Sequence, residues 1–137
     1  MLVKCKNTNN IVSLPYNLGD YVRIIDTGGH YSTYNNAFKQ FWGNTETCEI
    51  LNYSWKHRDY FLTWLDYQIW VVKGFLFHEN GRDVLMHLQT LNGKENCVFS
   101  ATENFYHKGR NYCQIIKKAK IDNEIIEIEQ VKKTYGY

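Results

Sequence analysis

The sequence has little proline, no closely spaced cysteines and no long apolar run. A single proline, Pro15, occurs in 137 residues. Zinc sites usually place two ligands a few residues apart, because one turn must direct both of them at the same ion. No two cysteines stand that close, so we predict no metal site and no cofactor. The four cysteines are Cys5, Cys48, Cys97 and Cys113.

The lack of long apolar runs indicates where in the cell the protein is expected. No window approaches the ~20 consecutive apolar residues of a membrane-spanning helix. Residues 1–10 contain two lysines and several asparagines but no apolar segment typical of a signal peptide. We therefore expect a protein of the cytoplasm (or, if viral, of the host cytoplasm or the virion) with reduced cysteines and no membrane partner.

Aromatic residues are abundant, with 11 Tyr, 7 Phe and 4 Trp. Their side chains pack well on pleated sheets, which favours β structure. The 44% hydrophobic content excludes a disordered chain, and the length fits one domain. Asn, Ile, Lys and Tyr are frequent, as in AT-rich genomes of phages, large DNA viruses and some bacteria. The net charge of +2 permits a phosphate-binding patch without requiring one.

The strongest strand signals lie in the second half of the chain. Lys73-Gly74 interrupts the first β-rich run in the manner of a bulge or bend. Asn80-Gly81 and Asn92-Gly93 separate this run from two others. Asn-Gly tolerates positive φ at both central turn positions and favours tight hairpins. We therefore predict a three-stranded antiparallel meander. Its runs are 67–77, 83–91 and 95–101.

The N-terminal region gives weaker signals. Residues 1–18 lack clear periodicity and are predicted to be a lead-in with one edge strand near 11–14. In the run from Tyr21 to Asp26, Val22 and Ile24 share one strand face, and the alternate residues take the other.

The middle of the chain is predicted to contain one or two short helices. The first runs through Ala37 and Phe41 and ends at Gly43. Residues 44–66 form an insertion in which Lys56 to Leu65 fits a helix or a strand equally well.

The C-terminal region is predicted to be an extra hairpin. Residues 111–120 and 124–132 flank a turn at Asp122-Asn123, although glutamates in the second run leave a helix open. Six short antiparallel strands in meander order suggest a closed or nearly closed small barrel, because closure removes exposed sheet edges.

Residues 18–38 carry a family resemblance. Gly-Asp-x-Val-Arg-Ile-x-Asp begins at Gly19, and Tyr-Ser-x-Tyr follows at 31–34. This pattern resembles the opening of SH3-like small-barrel proteins of phages and related genomes. Trp70-Val71-Val72 is similar to the Trp-x-Val run of a later hairpin in that family. The resemblance implies an antiparallel SH3-like barrel over residues 19–137.

The resemblance also implies a function class. The insertion at 44–66 and the C-terminal hairpin depart from the family pattern, and such barrels host many unrelated functions. The leading hypothesis is a non-enzymatic module that binds another protein and serves as a viral accessory or structural component.

The loop 26–34 resembles the long loop beside the ligand groove of SH3-like barrels. Exposed tyrosine rings offer a flat apolar contact and a hydroxyl group. Tyr31 and Tyr34, with Trp70 or Tyr106 nearby, are therefore the predicted protein-binding residues. The competing interpretation is that these rings pack the insertion onto the barrel.

Nucleic-acid binding is the alternative hypothesis. Lysines beside stacking rings on a hairpin would suit a single strand of nucleic acid. The competing interpretation is a solvated strand edge on which lysines prevent mispairing. The predicted basic residues are Lys108, Arg110, Lys117, Lys118 and Lys120, interleaved with Tyr106, Tyr112 and Tyr135.

A metal-free hydrolase or nuclease is the third hypothesis. His30 and His107 lie in predicted loops and would serve as general acid and base. Nothing in the spacing selects this pair, so we assign no catalytic residue. His87 is interpreted as a hydrogen-bonded residue of a strand face, and Cys97 and Cys113 as small buried apolar residues.

Overall fold

A computed structural model of the protein describes residues 1–24, 35–42, 69–94, 96–102, 113–120 and 124–132. These stretches are mainly β, as predicted, with one helix among them. The elements are β1 (Leu2–Cys5), β2 (Ile11–Ser13), β3 (Tyr21–Ile24), α1 (Asn35–Trp42), β4 (Trp70–Phe77), β5 (Val84–Thr90), β6 (Asn96–Ser100), β7 (Cys113–Lys117) and β8 (Ile126–Ile128).

The larger sheet has five antiparallel strands in the order β6-β5-β4-β3-β7. The predicted meander is confirmed as β4-β5-β6. The bulge predicted at Lys73-Gly74 is also confirmed, because the register between β4 and β5 shifts between Val72 and Gly74. α1 confirms the first predicted helix.

The two Asn-Gly corners of the meander differ from the predicted turns. Gly81 N donates to the His78 carbonyl and Gly93 N to the Thr90 carbonyl, at 2.9 and 2.8 Å. Only the glycines have positive φ, of 71° and 75°. Each glycine is thus the last residue of its turn, and the expectation that Asn-Gly fills both central positions is wrong. Each asparagine side chain instead accepts a backbone N–H beyond the turn.

The smaller sheet has the order β2-β1-β8 and is built from the two ends of the chain. β1 pairs antiparallel with β2 and parallel with β8. The segment predicted to be a lead-in therefore contains two strands. It also contributes to the core, where Val3 and Cys5 are fully buried and Tyr16 is 2% exposed.

The predicted C-terminal hairpin is wrong. β7 pairs with β3 in the larger sheet, whereas β8 pairs with β1 in the smaller one. The parallel pairing sets Ile126 beside Val3 and Ile128 beside Cys5. Ile128 joins the core there.

The two sheets meet at β4. Its first residues pair with β3, whereas Phe77 at its end donates to the Glu129 carbonyl and accepts from Val131 N, at 2.9 and 2.8 Å. In the described stretches β6 and β7 are the unjoined edges of the larger sheet. The predicted closure into a barrel is therefore not found, since β8, the strand expected beside β7, pairs with β1. Buried side chains from both sheets form one cluster.

Candidate binding face on the five-stranded sheet

Residues of β3 alternate between the core and the outside, as the sequence predicted. Val22 and Ile24 are 0% and 1% exposed and belong to the core cluster. Tyr21 and Arg23 point the other way and are half-buried. We call the side of the five-stranded sheet that carries Tyr21 its outer face.

One row of side chains crosses all five strands on this outer face. The register places Tyr21 between Lys117 of β7 and Val71 of β4. Val71 faces Gln89 of β5, which faces Asn96 of β6. Neighbouring strands lie ~4.8 Å apart, so the row is about 19 Å long. These five residues are the cross-strand row.

A cation and an aromatic ring meet at one end of the row. Lys117 Nζ lies 5.7 Å from the centroid of the Tyr21 ring, and Lys117 is exposed. A cation–π contact at an exposed site contributes about 0.5–1 kcal/mol. Because this contribution is small, the ammonium group can leave the ring for an anionic partner.

The charged residues described on the outer face are all cations. They are Arg23, Lys73 and Lys117, and the exposed Lys118 and Lys120 follow directly after β7. On the smaller sheet, Lys4 and Lys6 form ion pairs with Glu127 and Glu129, at 3.7 and 4.0 Å. Among the described residues, the outer face is therefore the positive side of the larger sheet.

A polar cluster occupies the other end of the row. Asn96 Oδ1 lies 2.8 Å from His87 Nε2 and accepts a hydrogen bond from Gln89 Nε2 at 3.2 Å. Burial lowers the pKa of His87, the hydrogen bond to Asn96 opposes this, and the charge of Lys73 lowers the pKa further. Because Asn96 Oδ1 can only accept, His87 Nε2 is the donor in this contact, consistent with the predicted role of His87 as a hydrogen-bonded strand residue.

Helix α1 packs on the outer face beside the row. The Phe41 ring lies 5.1 Å from the His87 ring. The Phe41 ring also lies over Gly74, where a Cβ atom would be 3.5 Å from the ring, an ordinary van der Waals distance. Ala37 is fully buried. The helix therefore holds one side of His87 in place.

The Gly-Asp pair before β3 fixes the strands that carry Tyr21 and Lys117. Asp20 is fully buried, and its carboxylate accepts hydrogen bonds from Ala119 N at 2.7 Å and Asn17 N at 2.8 Å. Gly19 has a φ of 87° and donates to the Val72 carbonyl. This motif therefore links the chain after β7 to the start of β3.

Of the four predicted protein-binding residues, only Trp70 lies in the described part of the chain. Trp70 is 1% exposed and belongs to the core cluster. It alternates with Val71 and shares the inward side of β4 with Val72. The remaining predicted groove residues, Tyr31, Tyr34 and Tyr106, lie outside the described residues.

The predicted basic residues are partly described. Lys117 lies in the cross-strand row, and Lys118 and Lys120 are exposed beside it. Tyr21 and Arg23 were not predicted as site residues, although the alternation along β3 already placed them on one face. Outside the described residues lie Lys108, Arg110, Tyr112, Tyr135, His30 and His107.

The cysteines show no arrangement for chemistry in the described part of the chain. Cys5, Cys97 and Cys113 are buried, and burial raises the pKa of the Cys113 thiol. A search of the described residues finds no group of three His, Cys, Asp or Glu side chains that could hold a metal ion. The same residues include no helix of the length and apolarity needed to cross a membrane.

Comparisons with known proteins add no family or relative. Protein-family models, curated proteins and solved structures all give no match to this chain. The candidate site therefore stands on its own geometry.

Proposed function

We propose that the protein is a non-enzymatic binding module whose outer face holds single-stranded nucleic acid. The observation that carries this proposal is Lys117 lying over the ring of Tyr21 on a sheet face whose described charges are cations. Stacking rings beside a positive groove are the shared features of proteins that bind single strands.

The two residues would act together on one nucleotide. A base stacked on the Tyr21 ring brings its phosphate close to the sheet. Lys117 is exposed and its contact with the ring is weak, so it can swing to that phosphate while the base takes its place. Lys118 and Lys120 extend the positive charge along the same edge.

The other functional hypotheses are supported by fewer of the described residues. The protein-binding groove depends on tyrosines outside the described residues. Membership in the SH3-like group, with a viral accessory role, also remains a proposal. It is supported by the Gly19-Asp20 turn before β3 and by the position of Trp70-Val71-Val72 in the meander.

Fluorescence anisotropy with a labelled single strand of about 15 nucleotides tests the proposal, because one small β domain covers up to ~16 nucleotides. Tyr21→Ala should weaken binding about 5- to 160-fold, since stacking contributes about 1–3 kcal/mol per base. Tyr21→Phe keeps the ring and should bind like the wild type. A matched duplex should bind more weakly than the single strand.

The salt dependence tests the part played by Lys117. Lys117→Gln should reduce the slope of log affinity against log salt by about 0.7 for a single strand. Lys6→Gln removes the same charge from the smaller sheet and should leave the slope unchanged. The proposal is overturned if the wild type binds no single strand at about 50 mM salt. It is equally overturned if Tyr21→Ala and Lys117→Gln both bind like the wild type.

A further inference from the structure

The amide end of the cross-strand row has unused hydrogen-bonding groups. Asn96 Oδ1 is already occupied by two donors, His87 Nε2 and Gln89 Nε2. The described residues provide no acceptor for Asn96 Nδ2 and no donor for Gln89 Oε1. One amide group thus offers N–H donors and its neighbour offers an acceptor.

The Asn96 amide is held in place by His87, which is itself packed against Phe41. His87 Nε2 donates to Asn96 Oδ1 at 2.8 Å, because an amide oxygen can only accept. Phe41 of α1 packs against the His87 ring and restricts its position. The Asn96 amide is therefore oriented before any ligand arrives, which lowers the entropy cost of binding.

The geometry points to a base-reading subsite. We propose that Gln89 and Asn96 hydrogen-bond to the edge of an unpaired base that neighbours the base stacked on Tyr21. This inference rests on the proposed function. Unpaired bases expose adjacent donors and acceptors on their Watson–Crick edges, which a duplex occupies internally. A phosphate offers only acceptors and would leave Gln89 Oε1 without a donor.

The positions of these residues along the cross-strand row allow stacking at one end and base-edge hydrogen bonding at the other. Gln89 lies two strands from Tyr21, at about 10 Å, and Asn96 lies one strand further. Half-buried Val71 lies between Tyr21 and Gln89 and provides an apolar surface for the flat side of a base. Cations thus hold the strand at one end of the row, and amides read a base at the other.

An abasic strand separates base reading from phosphate binding. The probes are a mixed-sequence single strand and the same strand with its central bases removed. Gln89→Met and Asn96→Ala should each weaken binding of the complete strand by about 10-fold or more, as loss of a good base-edge contact does. Neither variant should change the affinity for the abasic strand. Asn7→Ala removes an exposed amide from the β1–β2 turn and serves as the matched control.

Each result has one meaning. If both variants bind the complete strand like the wild type while Tyr21→Ala weakens it, the base-reading subsite is overturned and the proposed function stands. If both variants lose affinity equally for the two strands, the amides only support the sheet and the subsite is overturned. If the wild type binds neither strand, both the proposed function and the base-reading subsite are overturned. The urea midpoint of Gln89→Met, which keeps the side-chain length, checks that the fold is retained.

Discussion

The two sheets of this protein are assembled in opposite ways. Three strands of the larger sheet, β4, β5 and β6, are neighbours in sequence and pair through short turns. The smaller sheet joins the chain ends, because Val3 pairs with Ile126. Local pairing costs little loop-closure entropy, whereas distant pairing must be stabilised by the contacts it creates. The smaller sheet therefore depends on the shared core for its existence.

The polar contacts of the two sheets differ in the same way. The larger sheet is fixed at β3 by the buried carboxylate of Asp20. The smaller sheet carries ion pairs at its surface, where Lys4 and Glu127 have side chains 32% and 58% exposed. Buried hydrogen bonds to a charged group stabilise far more than exposed ion pairs do. Substitutions in each sheet should show this difference directly.

The largest effect is expected at Asp20. Asp20→Ala would leave the buried amides of Asn17 and Ala119 without their acceptor, which should cost about 3–5 kcal/mol of unfolding free energy. Asp20→Asn keeps one carbonyl oxygen and should cost less. Urea denaturation at pH 7 measures both. A loss below about 1 kcal/mol for Asp20→Ala would show that the two amides find other acceptors.

A smaller effect is expected in the turns, one of which belongs to each sheet. Gly93 in the β5–β6 turn has positive φ, and no atom of the described residues lies within 4 Å of the position that a Cβ atom would take. Gly93→Ala should therefore cost about 1–2 kcal/mol through backbone strain alone. Asn9 in the β1–β2 turn has a φ of 58°. Asn9→Gly relieves the same strain and should be neutral or slightly stabilising. Equal losses for both variants in thermal unfolding would contradict the assigned backbone conformations.

The features predicted correctly from the sequence are those that depend on residues close to one another in the chain. The meander, the bulge at Lys73-Gly74 and α1 follow from local turn residues and local periodicity. The turn type was mispredicted, because the asparagine side chains accept hydrogen bonds from beyond each turn and leave positive φ to Gly81 and Gly93. Local signals identify a corner more readily than the conformation of its residues.

Pairing between distant segments could not be predicted. Ile126 and Ile128 fit a strand beside β7 as well as one beside β1, and nothing in their spacing distinguishes the two partners. For the same reason Lys117 was predicted as a basic residue without its contact to Tyr21, which exists only because β7 pairs with β3. Trp70 lies in a nearly continuous apolar run, so its inward direction was not evident.

The smallest effect is expected for the ion pair between Lys4 and Glu127. A double-mutant cycle of Lys4→Gln and Glu127→Gln should give a coupling of about 0.5 kcal/mol or less, because both groups are solvated and screened by salt. The parallel pairing of β1 with β8 would then rest on Val3, Cys5 and Ile128, which are buried beneath it. A coupling above about 1 kcal/mol in urea denaturation would instead mean that surface charge holds the chain ends together. The smaller sheet would then resemble the larger one in depending on a polar contact, and the contrast between them would disappear.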